Sequence, residues 1–382
     1  MSKRFEIVGS FLRPETLLNH KRTIETREDI TYPFYNDLEG YKAAEDAAVA
    51  DVIQKQKDAD IAILTDGEFT RSLWHLDFLW GLEGVQRFIA QQGYVFRDHN
   101  QTDGFETRKD IGIKITSKLG GKNHHFIQVF KNLKAQAGDK QVKLTIPSPS
   151  HIYCEFFWAT HVDLKAVYPD TATLKADLIN AYIEFVDEFV AAGGTILQLD
   201  DCLWEIFAAD NPVSPYAGKG VDSNLALAHE FIEINNAVIA HGKAKGLKVW
   251  THNCRGNYKS RNMGDGSYDA ISDLFLKSQN YDRFFLEWDD ERAGTLDALK
   301  AFVGTKKEVV LGFLSSKTGE LDDEKRVLEQ LEAAAKILPK EQLFLSHQCG
   351  FASCDNGNEL TEAQQWEKVA QGQKLALQFW GE

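Results

Sequence analysis

Apolar residues recur along this chain in two spacings that take turns. Short, nearly continuous apolar runs occupy residues 5–10, 61–65, 141–146, 195–199, 248–254, 283–286, 308–314 and 342–346, and each reads as a buried strand. Between them lie longer stretches in which apolar residues return every three or four positions. These predict helices over residues 37–58, 224–245, 268–278, 295–302, 321–338 and 361–379. A further helix starts at Thr171 behind Asp170 as N-cap, carries Leu174, Leu178, Ala181, Tyr182, Phe185 and Phe189 on one face, and stops at Gly193-Gly194. Strand followed by helix is the order of a parallel sheet, and eight such strands close a (β/α)8 TIM barrel. The reading is therefore one α/β barrel domain over residues 1–382, with its chemistry at the C-terminal ends of the strands.

One region breaks the alternation. From about residue 83 to 140 the chain is polar, contains glycine and holds β-prone pieces at 93–96, 111–115 and 126–130. It is too long for an ordinary loop, so it reads as a β-rich insertion after the second strand, placed to act over the barrel mouth.

Composition narrows the partners. The formal charge is −14, and Lys and Arg are not clustered, which argues against nucleic acid or an anionic membrane surface. The first residues lack the apolar core of a signal peptide, and no stretch approaches the roughly 20 apolar residues of a membrane span, so a cytoplasmic protein is expected. Five cysteines, an odd number spread over the chain, suit reduced thiols better than a disulfide framework.

The strand ends then carry the chemistry. In K-V-W-T-H-N-C, His252 and Cys254 are two residues apart and point the same way, which supplies half of a tetrahedral zinc site. Glu287 in F-F-L-E-W-D and Cys349 in L-F-L-S-H-Q-C-G end two other runs and supply the other half. Ser10, Glu68, Ser148, Asp200 and Lys317 should share the same mouth. Neither a phosphate-binding G-x-x-x-x-G-K-[ST] loop nor a dinucleotide G-x-G-x-x-G follows a strand, so a metal and a small polar ligand fit better.

As a set, G-S-F at 9–11, D-G-E at 66–68, Q-L-D-D at 198–201, H-N-C at 252–254, L-E at 286–287 and Q-C-G at 348–350 resembles the C-terminal catalytic barrel of cobalamin-independent methionine synthase. With H-N-C-R-G-N from His252, S-K-T-G-E-L from Ser316, Q-C-G-F from Gln348 and E-A-Q-Q-W from Glu362, the chain looks closest to the single-barrel bacterial relatives of that enzyme. The resemblance implies a Zn2+ ion on His252, Cys254, Glu287 and Cys349, and a methyl transfer to homocysteine that gives methionine. It implies further that Glu68 and Asp200 hold the substrate ammonium, that Val8 and Ser10 lie at its carboxylate, and that a methyltetrahydrofolate with a polyglutamate tail is the donor. The chemistry has its own logic, since a thiol with a pKa near 8.5 is mostly protonated at neutral pH and a zinc ion turns it into a nucleophilic thiolate.

The chain departs from the family in two places. The full-length enzyme pairs two barrels where this chain has one. It also carries a His after the seventh strand for protonating the donor nitrogen, whereas residues 315–320 here read S-S-K-T-G-E. Lys317 or a water held by Asp201 are the substitutes. Other readings stay open beside these. Arg13 is either a solvated surface residue or a binder of the anionic tail, and Glu68 and Asp200 are either substrate anchors or structural ion pairs. Trp74, His75 and Trp80 serve packing or the site wall. Cys354 is a decoy in a polar loop, and Cys154 and Cys202 pack as small hydrophobes. The alternative functions are alkyl transfer to a different thiol and a non-catalytic zinc- or thiol-binding protein.

Overall fold

In the computed structural model the described residues are 3–97, 104–158, 162–164, 166–207, 225–262 and 266–381. Six parallel strands carry the architecture: Leu144–Pro147, Ile196–Asp200, Lys248–Asn253, Arg283–Glu287, Glu308–Leu314 and Leu343–His347 stand side by side in chain order. Their register brings His252 opposite Asp200, and Glu287 opposite Gly312. At one edge Ile63–Leu64 pairs in parallel with Gln141–Val142, which leads past Lys143 into Leu144–Pro147. At the other edge Phe5 bridges Leu345 in parallel.

The expected strand over residues 5–10 is reduced to that one bridge, and the reason is visible in its carbonyls. Those of Ile7, Val8 and Gly9 accept from side chains, namely Lys143 Nζ at 2.6 Å, Gln198 Nε2 at 3.0 Å and Thr65 Oγ1 at 2.7 Å. The hydrogen-bonded sheet is thus continuous over six strands, while the ring order is that of a TIM barrel. Its interior shows the same order: Val8, Ile63, Ile196, Trp250, Phe285, Val310 and Phe344, one from each of seven strand positions, pack as a single cluster. The remaining position, the third, contributes Lys143, whose Nζ lies 4.4 Å over the Phe285 ring.

Helices cover the outside much as their periodicity predicts. Thr171–Ala191 buries all six residues of the expected face, and the Asp170 carboxylate accepts from Thr173 N–H. Glu362–Trp380 begins with a capping box between Thr361 and Gln364. The segment after Tyr268 turns from α-helix to π-helix at Ser272–Lys277, and Leu296–Phe302 is a 3-10 helix. No helix among the described residues is long and apolar enough to cross a membrane.

In the insertion, Glu83–Phe88 pairs with Gly112–Gly120, and Val95–Arg97 pairs with Gly104–Glu106, both antiparallel. The β-prone piece at 126–130 is instead part of the helix His125–Ala137. Phe126, Phe130, Leu133 and Ala137 are spaced three or four apart and buried together, and that burial overrides the local β-preference of Ile, Val and Phe.

Candidate metal centre

Three strands of the sheet, two of them neighbours and the third set apart by Glu308–Leu314, end where their last side chains meet. His252 and Cys254 leave the Lys248–Asn253 strand in the same direction, Glu287 ends its neighbour, and Cys349 follows Leu343–His347 by two residues. Gly312 lets these ends approach, because a Cβ there would stand 2.7 Å from the Leu286 carbonyl and 2.8 Å from Gln348 Cα. Tyr268 ties two of them together: its hydroxyl accepts from Glu287 N–H at 3.0 Å and faces the Asn253 carbonyl at 3.5 Å.

One ligand atom each from His252, Glu287 and Cys349 lies within 4.8 Å of the others, and all three residues are buried. Cys254 joins through Cys349, their sulfurs 3.6 Å apart. That separation is far beyond the ~2.05 Å of a disulfide, and close to the ~3.8 Å between two thiolates bound at ~2.3 Å in a tetrahedron. His252 Nε2 stands 4.0 Å from Glu287 Oε1 and 3.1 Å from the Gln348 carbonyl, while Nδ1 stands 3.9 Å from Asp200 Oδ1.

The electrostatics of the cluster suit a divalent cation. Burial pushes the Glu287 carboxyl up, against the opposing charges of Lys317 and Arg255, and its Oε2 is buried with no hydrogen-bond partner. Both thiols are pushed up, Cys254 first by its hydrogen-bond neighbour Cys202 and Cys349 first by Cys254, with burial adding to each. Two buried thiols and a buried carboxyl resist ionisation unless a divalent ion shares the space, and this donor set suits zinc.

Beside the cluster stand two carboxylates. Glu68 follows Gly67 with both residues at positive φ, +61° and +70°, a turn held by Asp66 Oδ1 accepting from Glu68 N–H at 3.0 Å. Thr145 Oγ1 donates to Glu68 Oε1 at 2.8 Å. Asp200 is pushed up by burial and then by the charge of Glu68, so the two carboxylates share one electrostatic field. Beneath them runs a buried chain: Lys143 Nζ donates to Gln198 Oε1 at 2.6 Å, and Gln198 Nε2 donates to Asp200 Oδ1 at 2.7 Å. Burial lowers Lys143 to about 8. Lys317 has a buried Nζ without a hydrogen-bond partner, and its charge lowers Glu287.

Several residues sit differently from expectation. Arg13 is no surface residue: its guanidinium is buried and donates to the carbonyls of Glu68, Arg71, Ala352 and Cys354, so it braces three loops of the mouth. Asp201 is spent on structure, accepting from Ser150 Oγ, Trp204 Nε1, Asn235 Nδ2 and Leu203 N–H, which removes it as the holder of a catalytic water. Cys202 is half-buried and a hydrogen-bond neighbour of Cys254, a third thiol at the centre and not the packed small hydrophobe expected. Cys354 is buried rather than in a solvated loop, and lies outside the donor group. Cys154 is buried, as expected of a small hydrophobe.

Val8 points into the barrel interior. Ser10 Oγ accepts from Ala352 N–H at 3.2 Å, in a contact that Gly350 allows by having no Cβ. Ser148 is tied to Ser150 and the His151 N–H. Trp80 packs, with its indole donating to the Gly112 carbonyl, whereas Trp74 and His75 face His151. Lys143, Gln198 and Tyr268 went unnoticed in the sequence. Lys143 carried a signal, a lone cation amid the apolar run 141–146, which inside a barrel must find buried acceptors.

Comparison with known proteins shows the family to which the chain belongs. Residues 7–371 match the family described as cobalamin-independent synthase, catalytic domain. The uncharacterized protein YxjH of Bacillus subtilis is 35% identical over 377 residues, covering 99% of this chain and 94% of its own length. The methionine synthase of Sulfolobus acidocaldarius is 21% identical over 90% of this chain and 84% of its own. Among solved structures, a Listeria monocytogenes protein provisionally assigned as a vitamin-B12-independent methionine synthase superposes with a TM-score of 0.70 at 29% identity, covering 98% of this chain and 97% of the other. A B12-independent methionine synthase from Shewanella, solved in complex with selenomethionine, gives 0.69 at 18% identity, with coverage of 98% and 97%.

Proposed function

Because the chain belongs to the cobalamin-independent methionine synthase family, matched through the catalytic domain, we propose that it is a zinc-dependent methyltransferase acting on homocysteine, with a methyltetrahydrofolate-type donor. The observation that carries this reading is the convergence of His252, Cys254, Glu287 and Cys349 around a buried, unpartnered Glu287 oxygen, next to the Glu68 and Asp200 carboxylates. A zinc ion on these four residues would supply the positive charge that keeps the substrate thiol ionised.

The protein's own residues do the rest. His252 lies with one ring nitrogen toward Glu287 and the Gln348 carbonyl and the other toward Asp200, 3.9 Å away, so Asp200 places its charge beside the imidazole as well as facing the substrate. Glu68 and Asp200 present negative charge to the ammonium of homocysteine, and the segment from Val8 to Ser10 borders its carboxylate. In the reaction the sulfur forms a bond to the methyl carbon, the carbon–nitrogen bond of the donor breaks with its electron pair left on nitrogen, and that nitrogen takes a proton. Lys317, with a buried Nζ that makes no hydrogen bond, is the residue we assign to deliver it. The selenomethionine held by the Shewanella relative is in keeping with a site for a product of this kind.

A methylation assay with the zinc-loaded protein, homocysteine and methyltetrahydrofolates of different glutamate tail length tests the reading. Methionine formed with turnover supports it. Methylation of another thiol in preference to homocysteine, or none with any donor, would replace it by the alternatives of a different acceptor or a non-catalytic zinc protein.

A further inference from the structure

A second group of metal-type side chains lies at the same mouth, outside the site described above. His75 is in the loop after the second strand, and His151 and Glu155 share one face of the helix Pro149–Trp158, four residues apart. One ligand atom each from these three falls within 4.8 Å of the others. Both imidazoles face the same carboxylate oxygen, His75 Nε2 at 3.3 Å and His151 Nε2 at 3.5 Å from Glu155 Oε1.

Those separations are long for charge-assisted hydrogen bonds, which run to about 2.7–2.9 Å. They match the edge between two ligands bound at ~2.1 Å, about 3.0 Å at a right angle and about 3.4 Å at the tetrahedral angle. His151 is 6% exposed, its Nδ1 has no hydrogen-bond partner, and its Nε2 meets only the Glu155 carboxylate, in the long 3.5 Å contact. An imidazole buried with one nitrogen unpaired and the other on a long contact is costly unless something else takes a lone pair. The surroundings fix the group as a metal's second layer of contacts would: Tyr94 from the insertion donates to the other oxygen, Glu155 Oε2, at 2.7 Å, and the Trp74 ring packs on both imidazoles with centroids 4.7 Å away.

We propose that His75, His151 and Glu155 form a second binding site, for a divalent first-row transition-metal ion. Two imidazoles and one carboxylate leave further coordination positions for water or for an oxygen or nitrogen of a bound molecule. The site stands apart from the thiolate centre in its ligands but touches the same loops, since Trp74 N–H donates to the Ser353 carbonyl while Ser353 Oγ lies 3.8 Å from Cys349 Sγ.

Cobalt(II) titration of the metal-stripped full chain tests this, because cobalt reports its ligands. The wild type should take two equivalents per chain, one with sulfur-to-cobalt charge-transfer absorption and one without. Glu155→Gln, which keeps the shape of the side chain and a partner for Tyr94, and His151→Ala should each lower the count from two to one and leave the charge-transfer band in place. Cys254→Ser with Cys349→Ser should remove that band and keep the other equivalent. One equivalent in the wild type, or two in both Glu155→Gln and His151→Ala, overturns the proposal. Absence of the charge-transfer band alone would count against the thiolate centre and leave this second site standing.

Discussion

The two clusters at the barrel mouth differ in what holds them. The thiolate centre is built on ends of three strands of one parallel sheet, two paired directly and the third joined through Glu308–Leu314, so its donors are placed by backbone hydrogen bonds deep in the sheet. The imidazole group rests on a loop and one short helix, with a tyrosine from the insertion completing it. The chemistry differs in parallel. Two soft thiolates favour zinc and a sulfur substrate, whereas two imidazoles and a carboxylate accept a wider range of divalent ions. The comparison teaches that a barrel's strand ends supply a rigid donor set, while its loops are free to add a second one.

The largest effect separates the centres outright. Cys254→Ser combined with Cys349→Ser should strip the ion bound there and abolish methyl transfer, measured by metal content and turnover, whereas Cys354→Ser should change neither. Next, Lys317→Gln should slow turnover by roughly 10²–10⁴-fold, the range for loss of a general acid, with zinc content and homocysteine affinity preserved. A loss of zinc in this variant would make Lys317 a charge partner of Glu287 instead.

A smaller effect distinguishes the two carboxylates. Glu68→Gln and Asp200→Asn each remove a charged partner of the ammonium, worth about 1–3 kcal/mol, so homocysteine use should fall roughly tenfold to a hundredfold. Only Asp200→Asn should also weaken metal binding, because Asp200 Oδ1 alone stands 3.9 Å from His252 Nδ1. Equal zinc affinity in the two variants would contradict this electrostatic support of His252, and a simple thiol without an amine should be indifferent to Glu68→Gln.

A last effect, on stability rather than on activity, sets the metal-type histidines against an ordinary buried one. His124 accepts from Phe126 N–H on Nδ1 and faces the Phe78 carbonyl with Nε2, so its neutral form is fixed, and burial pulls it down to about 3. The unfolded chain then takes up this proton first, from about pH 6.5 downward. Stability present above that pH should be lost as pH falls toward 3, by on the order of 1.4 kcal/mol per pH unit within the window. His124→Asn, which keeps a capping acceptor, should flatten this part of an acid unfolding curve, and an unchanged slope would refute the assignment.

How much of this was legible in the sequence follows the same division. The run from Glu308 to Leu314 and the face of Thr171–Ala191 could be read directly, because apolar period maps onto a ladder or a helix face that is buried. His252, Cys254, Glu287 and Cys349 were legible because each closes such a run. Residues 5–10 were not, since side chains from other strands take their carbonyls, and no local pattern announces that. The imidazole group was half visible. His75 stood out in an aromatic loop, but His151 and Glu155 are four apart on a helix that lies between the strand 141–146 and the helix from Thr171, where no element was expected. Arg13 misled for a related reason: a lone arginine after a strand looks solvated until the loops that enclose it are known.

The central claim is that the thiolate centre receives a substrate sulfur. X-ray absorption at the zinc edge, on protein loaded with one zinc per chain, tests it most directly when compared with and without saturating homocysteine. The account predicts a gain of sulfur neighbours at the zinc, with release of about one proton per chain near neutral pH. Unchanged coordination, with homocysteine in excess and the zinc still on the cysteines, would contradict it.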